Sequence, residues 1–449
     1  MINTKIKSIA IIGAGITGLT AAYRLSQKGF DVTIYEKSSE IGGLAAGFQM
    51  HGNNIEKTYH HLFRSDKEII NLFSELNISE KLIWHKSSIS IYFNNKIYPF
   101  GTPKTLLTFS PLNIIDRIRT GAVMFYLMKT KNWKSLVHVP AFSWMKKFAG
   151  KNSYRVIWEP LLKGKFDKYY NKISMAWLWG RIHIRANSQE KGGERLGYPD
   201  GGFKVLISTL KEKLKSQNVT IKLNTTVENI FSTEKNVSIK SDTDGGKIFD
   251  KVLVTSPSYI FANMIDNDTN KKLASSDELE KYISQLKSVE YLGAVVAIFS
   301  SSQDLGEYYW NNINDLSMPF LAFINHTKLI DKSNYDNKFI YYIGTYLPQD
   351  HEYFSMLDEK IYDIWFESLK KIFPDFDSSL IIKKNMFKFK NAQHIVDTEY
   401  EKKLVPHKTI LPNVYLANFA QIFPEDRGTN YAVRDGENVA DNILSSMDV

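Results

Sequence analysis

Residues 9–19 read Ile-Ala-Ile-Ile-Gly-Ala-Gly-Ile-Thr-Gly-Leu, and this stretch decides the fold of the chain. A short apolar run, a Gly-x-Gly-x-x-Gly and a segment with helical spacing predict a strand, a tight turn and a helix. The first glycine permits the turn, the second lets the backbone approach a pyrophosphate, and the third allows close helix–sheet packing. The helix N-terminus then offers free N–H groups and its positive dipole end to the phosphates. We expect phosphate contacts from Gly13, Ala14, Gly15, Ile16, Thr17 and Gly18.

A second strand, residues 31–35, ends at Glu36, eighteen residues after Gly18. A carboxylate at about this distance binds the adenosine ribose hydroxyls in dinucleotide-binding folds. Glycines in an ordinary surface loop are the alternative interpretation. Because strand, glycines, helix, second strand and acid occur in order, the pattern favours a dinucleotide site.

A Gly-Gly pair, Gly42 and Gly43, follows this acid and is itself followed by Leu44. Here the sequence resembles the FAD-dependent oxidoreductases of the amine oxidase, protoporphyrinogen oxidase and phytoene desaturase group. The resemblance covers nearly the whole chain and is most specific in the first 45 and last 35 residues. It implies FAD contacts from Lys37, Gly42, Gly43 and Leu44. Many members carry Arg after the pair, so the contact made by that Arg is not expected from Leu44.

Two later segments extend the resemblance. The valine whose backbone meets the adenine corresponds to Val227, in a strand that we predict within residues 219–230. Near the C-terminus, the resemblance implies a helix whose N-terminus points at N1 and the C2 carbonyl of the flavin, where the reduced ring carries negative charge. Asp426 is then expected near the ribityl chain or the pyrophosphate. Ring contacts are expected from Gly428, Thr429, Asn430, Tyr431 and Ala432. A purely structural helix cap explains the glycine and asparagine equally well.

Two adjacent histidines, His60 and His61, are the candidate catalytic residues. The resemblance brings this part of the chain back towards the flavin ring, where either imidazole would touch flavin or substrate. The alternative is a pair of hydrogen-bonded loop histidines. No cluster of ligating residues has metal-binding spacing, and no Ser-His-Asp or Cys-His signature is present, so neither a metal nor a protein nucleophile is predicted.

Composition excludes several classes of protein. The chain has 449 residues, of which 43% are hydrophobic, and contains no cysteine. Disulfides, cysteine metal sites and a cysteinyl-flavin linkage are therefore excluded, and FAD is expected to be held non-covalently. The sequence runs directly into the first strand, so no targeting peptide is expected. No uncharged apolar run is long enough to span a membrane. We expect a cytoplasmic protein.

The net charge of +9 is concentrated in one region. Residues 104–172 contain fourteen Lys and Arg but three Asp and Glu, an excess of eleven, and five tryptophans lie between 133 and 179. Basic and aromatic residues together suit peripheral attachment to an anionic membrane. A solvated basic face over an ordinary core is the alternative, and no nucleic-acid motif supports binding to RNA. Apolar insertion is predicted for Leu106, Leu107, Phe109, Leu112 and Trp133.

We predict an α/β fold in which a Rossmann-like FAD-binding domain is interleaved with an α+β substrate domain. The FAD-binding domain comprises residues 1–75, 196–260 and 405–449, and the substrate domain residues 76–195 and 261–404. A hairpin is predicted around Asn94-Asn95. Further strands are predicted at 251–257, 292–300, 320–325, 339–345 and 413–418. Helices are predicted at 204–215 and 359–372, and a final helix is predicted to end at residue 445.

The expected reaction is hydride removal from a C–H bond of an apolar or amphipathic small molecule onto flavin N5, with reoxidation by oxygen or a quinone. Isoprenoid-, porphyrinogen- and amine-like substrates all fit the resemblance. Two alternatives stay open: a flavoenzyme without net redox, such as a sugar-nucleotide mutase or polyene isomerase, and a non-catalytic escort protein of the same fold. The intact glycine pattern and Glu36 argue against the escort protein. The sequence does not predict an oligomeric state.

Overall fold

The computed structural model describes residues 7–186, 188–190 and 193–446. Both ends of the predicted FAD-binding domain, residues 1–6 and 447–449, lie outside the described residues. The helices are α1 Ile16–Gln27, α2 Lys67–Glu75, α3 Pro103–Leu107, α4 Ile114–Lys129, α5 Ala141–Phe148, α6 Lys151–Ser153, α7 Glu159–Phe166, α8 Met175–Ala186, α9 Lys204–Ser216, α10 Ser258–Ile265, α11 Asp268–Leu273, α12 Ser276–Lys287, α13 Asp358–Ile372 and α14 Thr429–Ser445.

The strands are β1 Ser8–Ile12, β2 Asp31–Tyr35, β3 Gly47–Met50, β4 Asn53–Glu56, β5 Leu82–Lys86, β6 Ile89–Phe93, β7 Lys96–Phe100, β8 Gln189–Glu190, β9 Gly193–Pro199, β10 Thr220–Lys222, β11 Val227–Ser232, β12 Val237–Ser241, β13 Lys247–Phe249, β14 Lys251–Val254, β15 Tyr291–Ser301, β16 Trp310–Ile313, β17 Ala322–Asn325, β18 Phe339–Pro348, β19 Ile381–His394 and β20 Val414–Leu416. The predicted hairpin is confirmed as β6–β7, in which Tyr92 pairs with Ile97. Asn94 and Asn95 both have positive φ, as a two-residue hairpin turn requires.

A parallel five-stranded sheet carries the predicted nucleotide site. Its strand order is β10-β2-β1-β14-β20, and Ile11 of β1 lies in register with Ile34 and Leu253. The central strands are apolar and buried, as expected where helices cover both faces of a parallel sheet. The α/β class and the Rossmann-like arrangement are confirmed. The sheet takes strands from all three predicted segments of the FAD-binding domain, and the domain boundaries stay a prediction.

The single strand predicted over residues 219–230 is wrong. The chain pairs with β2 as β10, turns at Asn224, which has a positive φ, and then starts β11 in a separate antiparallel sheet of order β11-β12-β13. Val227 is the first residue of β11 and is buried. The apolar alternation continues across the turn, so the sequence pattern conceals the change of sheet.

A seven-stranded mixed sheet of order β19-β15-β18-β17-β16-β6-β7 forms the centre of the predicted substrate domain. Strand β15 is buried along its whole length, and α13 packs on one face through Trp365 and Leu369. The sequence did not predict β19, an edge strand with exposed lysines. Such charges protect an edge against unwanted pairing but also mask the β pattern.

Helices α3 to α8 form a further layer with its own aromatic core. Trp177 is fully buried, and Phe109 and Leu112 are each only 1% exposed. The prediction that Phe109 and Leu112 insert into a membrane is therefore wrong, because both belong to this core. Among the described residues, no helix has the length and apolarity needed to cross a bilayer.

Candidate active site

The glycines between β1 and α1 are required by their surroundings. A Cβ on Gly13, whose φ is +107°, would lie 2.3 Å from Oγ1 of Thr255. A Cβ on Gly18 would lie 2.1 Å from the carbonyl oxygen of Gly13, so only glycine permits this helix–loop contact. No atom lies within 4 Å of a Cβ built on Gly15, which leaves the backbone open. These environments match the turn, the helix contact and the open approach predicted for the three positions.

Glu36 is held against the same loop at the end of β2. Its carboxylate accepts hydrogen bonds from the backbone N–H groups of Ala14 at 2.8 Å and Ser38 at 2.9 Å. The side chain is buried, so its orientation is fixed before any ligand binds. The backbone N–H of Thr225 donates to the Glu36 carbonyl, which brings the turn before Val227 next to the predicted ribose position.

The Gly-Gly pair packs directly on this loop. The N–H of Gly42 donates to the carbonyl of Ala14, and a Cβ on Gly43 would lie 3.2 Å from the Cα of Gly15. Both glycines have positive φ. Gly43 and Lys37 are exposed, and Leu44 is half-buried with its carbonyl bound by the Thr58 hydroxyl. The pair and the phosphate loop therefore form one continuous backbone surface.

Helix α14 lies against α1. A Cβ on Gly436 would lie 2.7 Å from the carbonyl oxygen of Thr17, so a larger residue would force the helices apart. Gly428 is the N-cap of α14 and is exposed, and no side chain caps this helix end. The N-cap of α1 is Gly15, also without a side-chain cap. Two helix N-termini thus leave N–H groups for a ligand with negative charge.

Two residues predicted to contact the cofactor near α14, Asn430 and Asp426, use their side chains within the protein. The side chain of Asn430 accepts from the backbone N–H of Ile69 at 3.0 Å and donates to Glu68 at 2.7 Å. It therefore holds the start of α2, and only its backbone is available to a flavin. Asp426 forms ion pairs with Lys165 and Arg181, and its predicted contact with the ribityl chain or pyrophosphate stays a prediction. Thr429 is buried, and Tyr431 and Ala432 are half-buried.

The glycine loop, Glu36 and the uncapped helix ends together fit a bound dinucleotide. The open backbone at Gly15 has room for a pyrophosphate, and Glu36 has carboxylate lone pairs for ribose hydroxyls. Gly13 to Gly18, Glu36 and the Gly42–Gly43 pair would hold the nucleotide part. Gly428 to Ala432 would face the flavin ring with the helix N-terminus.

His60 and His61 are half-buried, and their surroundings lower the pKa of both imidazoles. Burial lowers the pKa of His60 to about 4, and the nearby Arg427 acts in the same direction. Burial lowers the pKa of His61 to about 3, with Arg185 as a further cause. Nδ1 of His60 contacts the Thr58 carbonyl at 2.7 Å and must donate to it, so Nε2 is the acceptor nitrogen. Nδ1 of His61 contacts the Tyr309 hydroxyl at 3.1 Å.

Aromatic side chains surround these histidines. The Tyr309 hydroxyl donates to the hydroxyl of Tyr59, and the Tyr59 ring meets Tyr342 edge-on at 5.0 Å. His60 packs against Phe203 with ring centroids 5.6 Å apart. The two histidines are therefore hydrogen-bonded members of an aromatic wall, each retaining partial exposure.

A cluster of charged side chains lies close to the histidines. Asp426 accepts from Lys165 Nζ at 2.8 Å, Arg181 Nη1 at 3.0 Å and Trp177 Nε1 at 3.2 Å. The next residue, Arg427, donates from Nη2 to the Tyr346 hydroxyl at 3.0 Å. We call Lys165, Arg181, Asp426, Arg427 and Tyr346 the cation cluster. Sequence reasoning missed it, because Lys165 is 261 positions from Asp426.

We call residues 13–18, Glu36 and the Gly42–Gly43 pair the nucleotide cradle. The nucleotide cradle and the two helix N-termini define a dinucleotide-binding α/β protein. Residues 16–444 match the family model of flavin-containing amine oxidoreductases. The chain belongs to this family, and it is an FAD-dependent oxidoreductase. The predicted family, enzyme class and cofactor are thereby confirmed.

Individual relatives differ in their chemistry. The chain is 27% identical over 294 residues to a coproporphyrinogen III oxidase of Staphylococcus aureus, a match that spans 58% of this chain and 63% of that one. It is 24% identical over 419 residues to a 15-cis-phytoene desaturase of Capsicum annuum, spanning 88% and 69% of the two chains. The fold is similar to that of a reduced UDP-galactopyranose mutase, with a TM-score of 0.75, 15% identity and coverage of 98% and 96%.

Proposed function

We propose that this enzyme oxidises a C–H bond of an amphipathic small molecule, with N5 of bound FAD accepting the hydride and oxygen or a quinone as the final acceptor. The observation that carries the proposal is the combination of the open Gly15 backbone, the buried Glu36 carboxylate and the uncapped N-terminus of α14. The names of the oxidase and desaturase relatives support net oxidation.

His60 and His61 have a supporting role in this proposal. Both imidazoles are neutral because burial lowers their pKa values far below 7. Neutral rings orient a substrate by single hydrogen bonds and add no positive charge beside an electron-poor carbon. The acceptor nitrogen Nε2 of His60 is the stronger candidate for a substrate contact, since Nδ1 is used by the Thr58 carbonyl. The aromatic wall excludes water from this side.

The test combines cofactor retention with substrate reduction. The purified protein should be yellow and release FAD on denaturation, since the chain has no cysteine for a cysteinyl link. Anaerobic addition of porphyrinogens, isoprenoids and amines should bleach the flavin with one class, and admission of oxygen or a quinone should restore the colour. A protein that neither contains FAD nor takes it up would overturn the proposal.

A reaction without net redox is the second candidate, supported by the fold similarity to a mutase. The two candidates differ in their need for an electron acceptor. The mutase type converts substrate only after the flavin has been reduced artificially, and it consumes no acceptor. Stoichiometric acceptor consumption during turnover argues for the oxidase or desaturase type.

We also propose that the enzyme docks on an anionic membrane through the outer face of α4. Among the described residues, eight of the fifteen exposed large apolar side chains lie between Leu107 and Phe148. Ile115, Ile118 and Phe125 are 73%, 60% and 62% exposed and share one face of the helix. Exposed lysines flank this face at residues 129, 131, 134, 146 and 147. Each base near an anionic surface contributes about 1 kcal/mol to attraction.

Vesicle co-sedimentation tests this docking. The wild-type protein should pellet with vesicles that contain phosphatidylserine, partly released by high salt, and the salt-resistant part should come from apolar insertion. The triple variant Ile115→Ser, Ile118→Ser, Phe125→Ser should lose that part. The matched control Ile248→Ser removes an apolar side chain that is 61% exposed elsewhere and should change nothing. Equal recovery in the supernatant with and without anionic lipid, at both salt levels, would refute the membrane proposal.

A further inference from the structure

We infer that the cation cluster binds an anionic group of the substrate, a carboxylate or a phosphate, beside the flavin. This inference rests on the proposed function, because it assigns the substrate of that same site. Lys165 and Arg181 pair with the carboxylate of Asp426, and Arg427 lies near enough to help lower the pKa of that carboxyl. Three cations therefore surround one carboxylate, which leaves two positive charges in excess. A buried excess charge is costly unless a ligand supplies the counter-charge.

The cluster lies in the interior but is open to a ligand. Burial lowers the pKa of Arg181, yet 25% of its side chain is exposed, so part of the residue is accessible to a ligand. Tyr346 also lines a pocket of about 530 Å³ beside α7, together with Gly164 and Leu321. The pocket and the cation cluster therefore share the Tyr346 side chain.

Arg427 provides the most specific observation. One nitrogen, Nη2, donates to the Tyr346 hydroxyl, whereas Nε is buried and has no hydrogen-bond partner. Arginine donors are normally satisfied when buried. An oxyanion that accepted from Nε and a terminal nitrogen would complete the fork with which arginine binds carboxylates and phosphates.

The electrostatic field at Tyr346 points to the same excess of positive charge. Burial raises the pKa of a tyrosine, but the charges of Arg427 and Lys165 bring the pKa of Tyr346 below its ordinary value. Asp426 opposes them without cancelling them. Arg427 also contributes to the low pKa of His60, so the cluster lies within electrostatic range of that histidine.

The site is next to the proposed flavin position. Asp426 and Arg427 immediately precede Gly428, the N-cap of α14. An anion held by Arg427 would therefore lie close to the helix end that faces the flavin ring. This geometry favours an amphipathic substrate with an acidic group over a neutral hydrocarbon or a cationic amine.

The experiment titrates the FAD-loaded enzyme with inorganic phosphate, pyrophosphate or succinate at constant ionic strength. The flavin difference spectrum should show saturable binding of at least one probe. Arg427→Met should weaken it 10- to 100-fold, as expected for a lost charge-assisted pair. Arg427→Lys should have an intermediate effect. Lys211→Met, which removes an exposed charge on α9, is the matched control and should leave binding unchanged.

The relative affinities of the probes and the effect of Arg427→Met separate the outcomes. Tighter pyrophosphate binding indicates a phosphorylated substrate, and tighter succinate binding indicates a carboxylate; both support the inference. The inference is overturned if none of the three probes binds saturably, or if the wild type and Arg427→Met bind them equally. The proposed function would still stand in that case, provided that the protein retains FAD. If Arg427→Met does not fold, the ionisation of Tyr346 is measured as the tyrosinate absorbance difference between the wild type and Tyr346→Phe. A bound anion should move this ionisation to higher pH, and an unchanged ionisation would refute the inference.

Discussion

Glu56 allows a sharp test of the interior of this fold. Its side chain is 1% exposed and accepts hydrogen bonds from the Tyr198 hydroxyl at 2.8 Å and the Phe203 N–H at 2.7 Å. These bonds hold the start of α9 against β4. Burial nevertheless raises the pKa of Glu56 from 4.5 to about 7, because the charged form loses its hydration. The folded protein therefore holds a proton that the unfolded chain releases at lower pH.

This difference has a defined effect on stability. Above pH 4.5 the unfolded chain ionises first, so rising pH favours unfolding until the folded carboxyl also ionises near pH 7. Linkage between these two pKa values predicts that Glu56 alone lowers the free energy of unfolding by about 2.5 kcal/mol between pH 5 and pH 8. Glu56→Gln should remove this loss, because the amide keeps an acceptor for Phe203, and the Tyr198 hydroxyl accepts from its NH₂.

Urea unfolding of the wild type and Glu56→Gln at pH 5, 6, 7 and 8 measures the effect. The free energy of unfolding of the variant, relative to that of the wild type, should rise by about 2.5 kcal/mol from pH 5 to pH 8. The contributions of other titrating groups cancel in this difference. Asp66, whose pKa burial also raises to about 7, is present in both proteins and does not alter the comparison. Parallel stability curves would mean that Glu56 is ionised in the fold at pH 5 and that the burial argument is wrong.

Two further predictions concern the nucleotide cradle. Glu36→Ala should weaken FAD binding by roughly 1–3 kcal/mol, because two ribose hydroxyls lose a charged acceptor. Calorimetry on the apoprotein measures this, and a change below about 0.3 kcal/mol would exclude Glu36 as the ribose ligand. Gly18→Ala should destabilise the protein by about 1–3 kcal/mol or more and reduce FAD retention, because its Cβ would lie 2.1 Å from a backbone oxygen. Gly245→Ala, with no atom within 4 Å of the added Cβ, should be neutral in urea unfolding, and similar losses in both variants would contradict the packing argument.

The nucleotide cradle could be predicted because its determinants are local. The turn at Gly13, the contact at Gly18 and the position of Glu36 all follow from one strand–turn–helix–strand unit of fixed geometry. The open backbone at Gly15 likewise depends on the absence of a side chain, which is visible in the sequence. Short-range constraints of this kind leave few conformations to distinguish.

Features set by distant contacts could not be predicted in the same way. A resemblance assigned Asp426 to the cofactor, but its partners Lys165 and Arg181 come from helices hundreds of residues away. The spacing within one segment carries no information about which distant charge will meet it. Asn430 was assigned to the flavin ring for the same reason, whereas its side chain bonds the start of α2.

The proposed membrane face and two cations of the cluster, Lys165 and Arg181, belong to one structural layer, which links the consequences of the two proposals. Helix α4 is joined to α8 where Trp179 Nε1 donates to the Thr130 carbonyl at 2.9 Å, and α8 also carries Arg181. An amphipathic acid partitions into a bilayer with its anionic group at the surface, the orientation that a cationic site close to a docked helix would accept. The two proposals use different residues, so their tests are independent. Anion binding without vesicle binding would favour a water-borne acidic substrate, whereas vesicle binding without anion binding would favour a neutral apolar one.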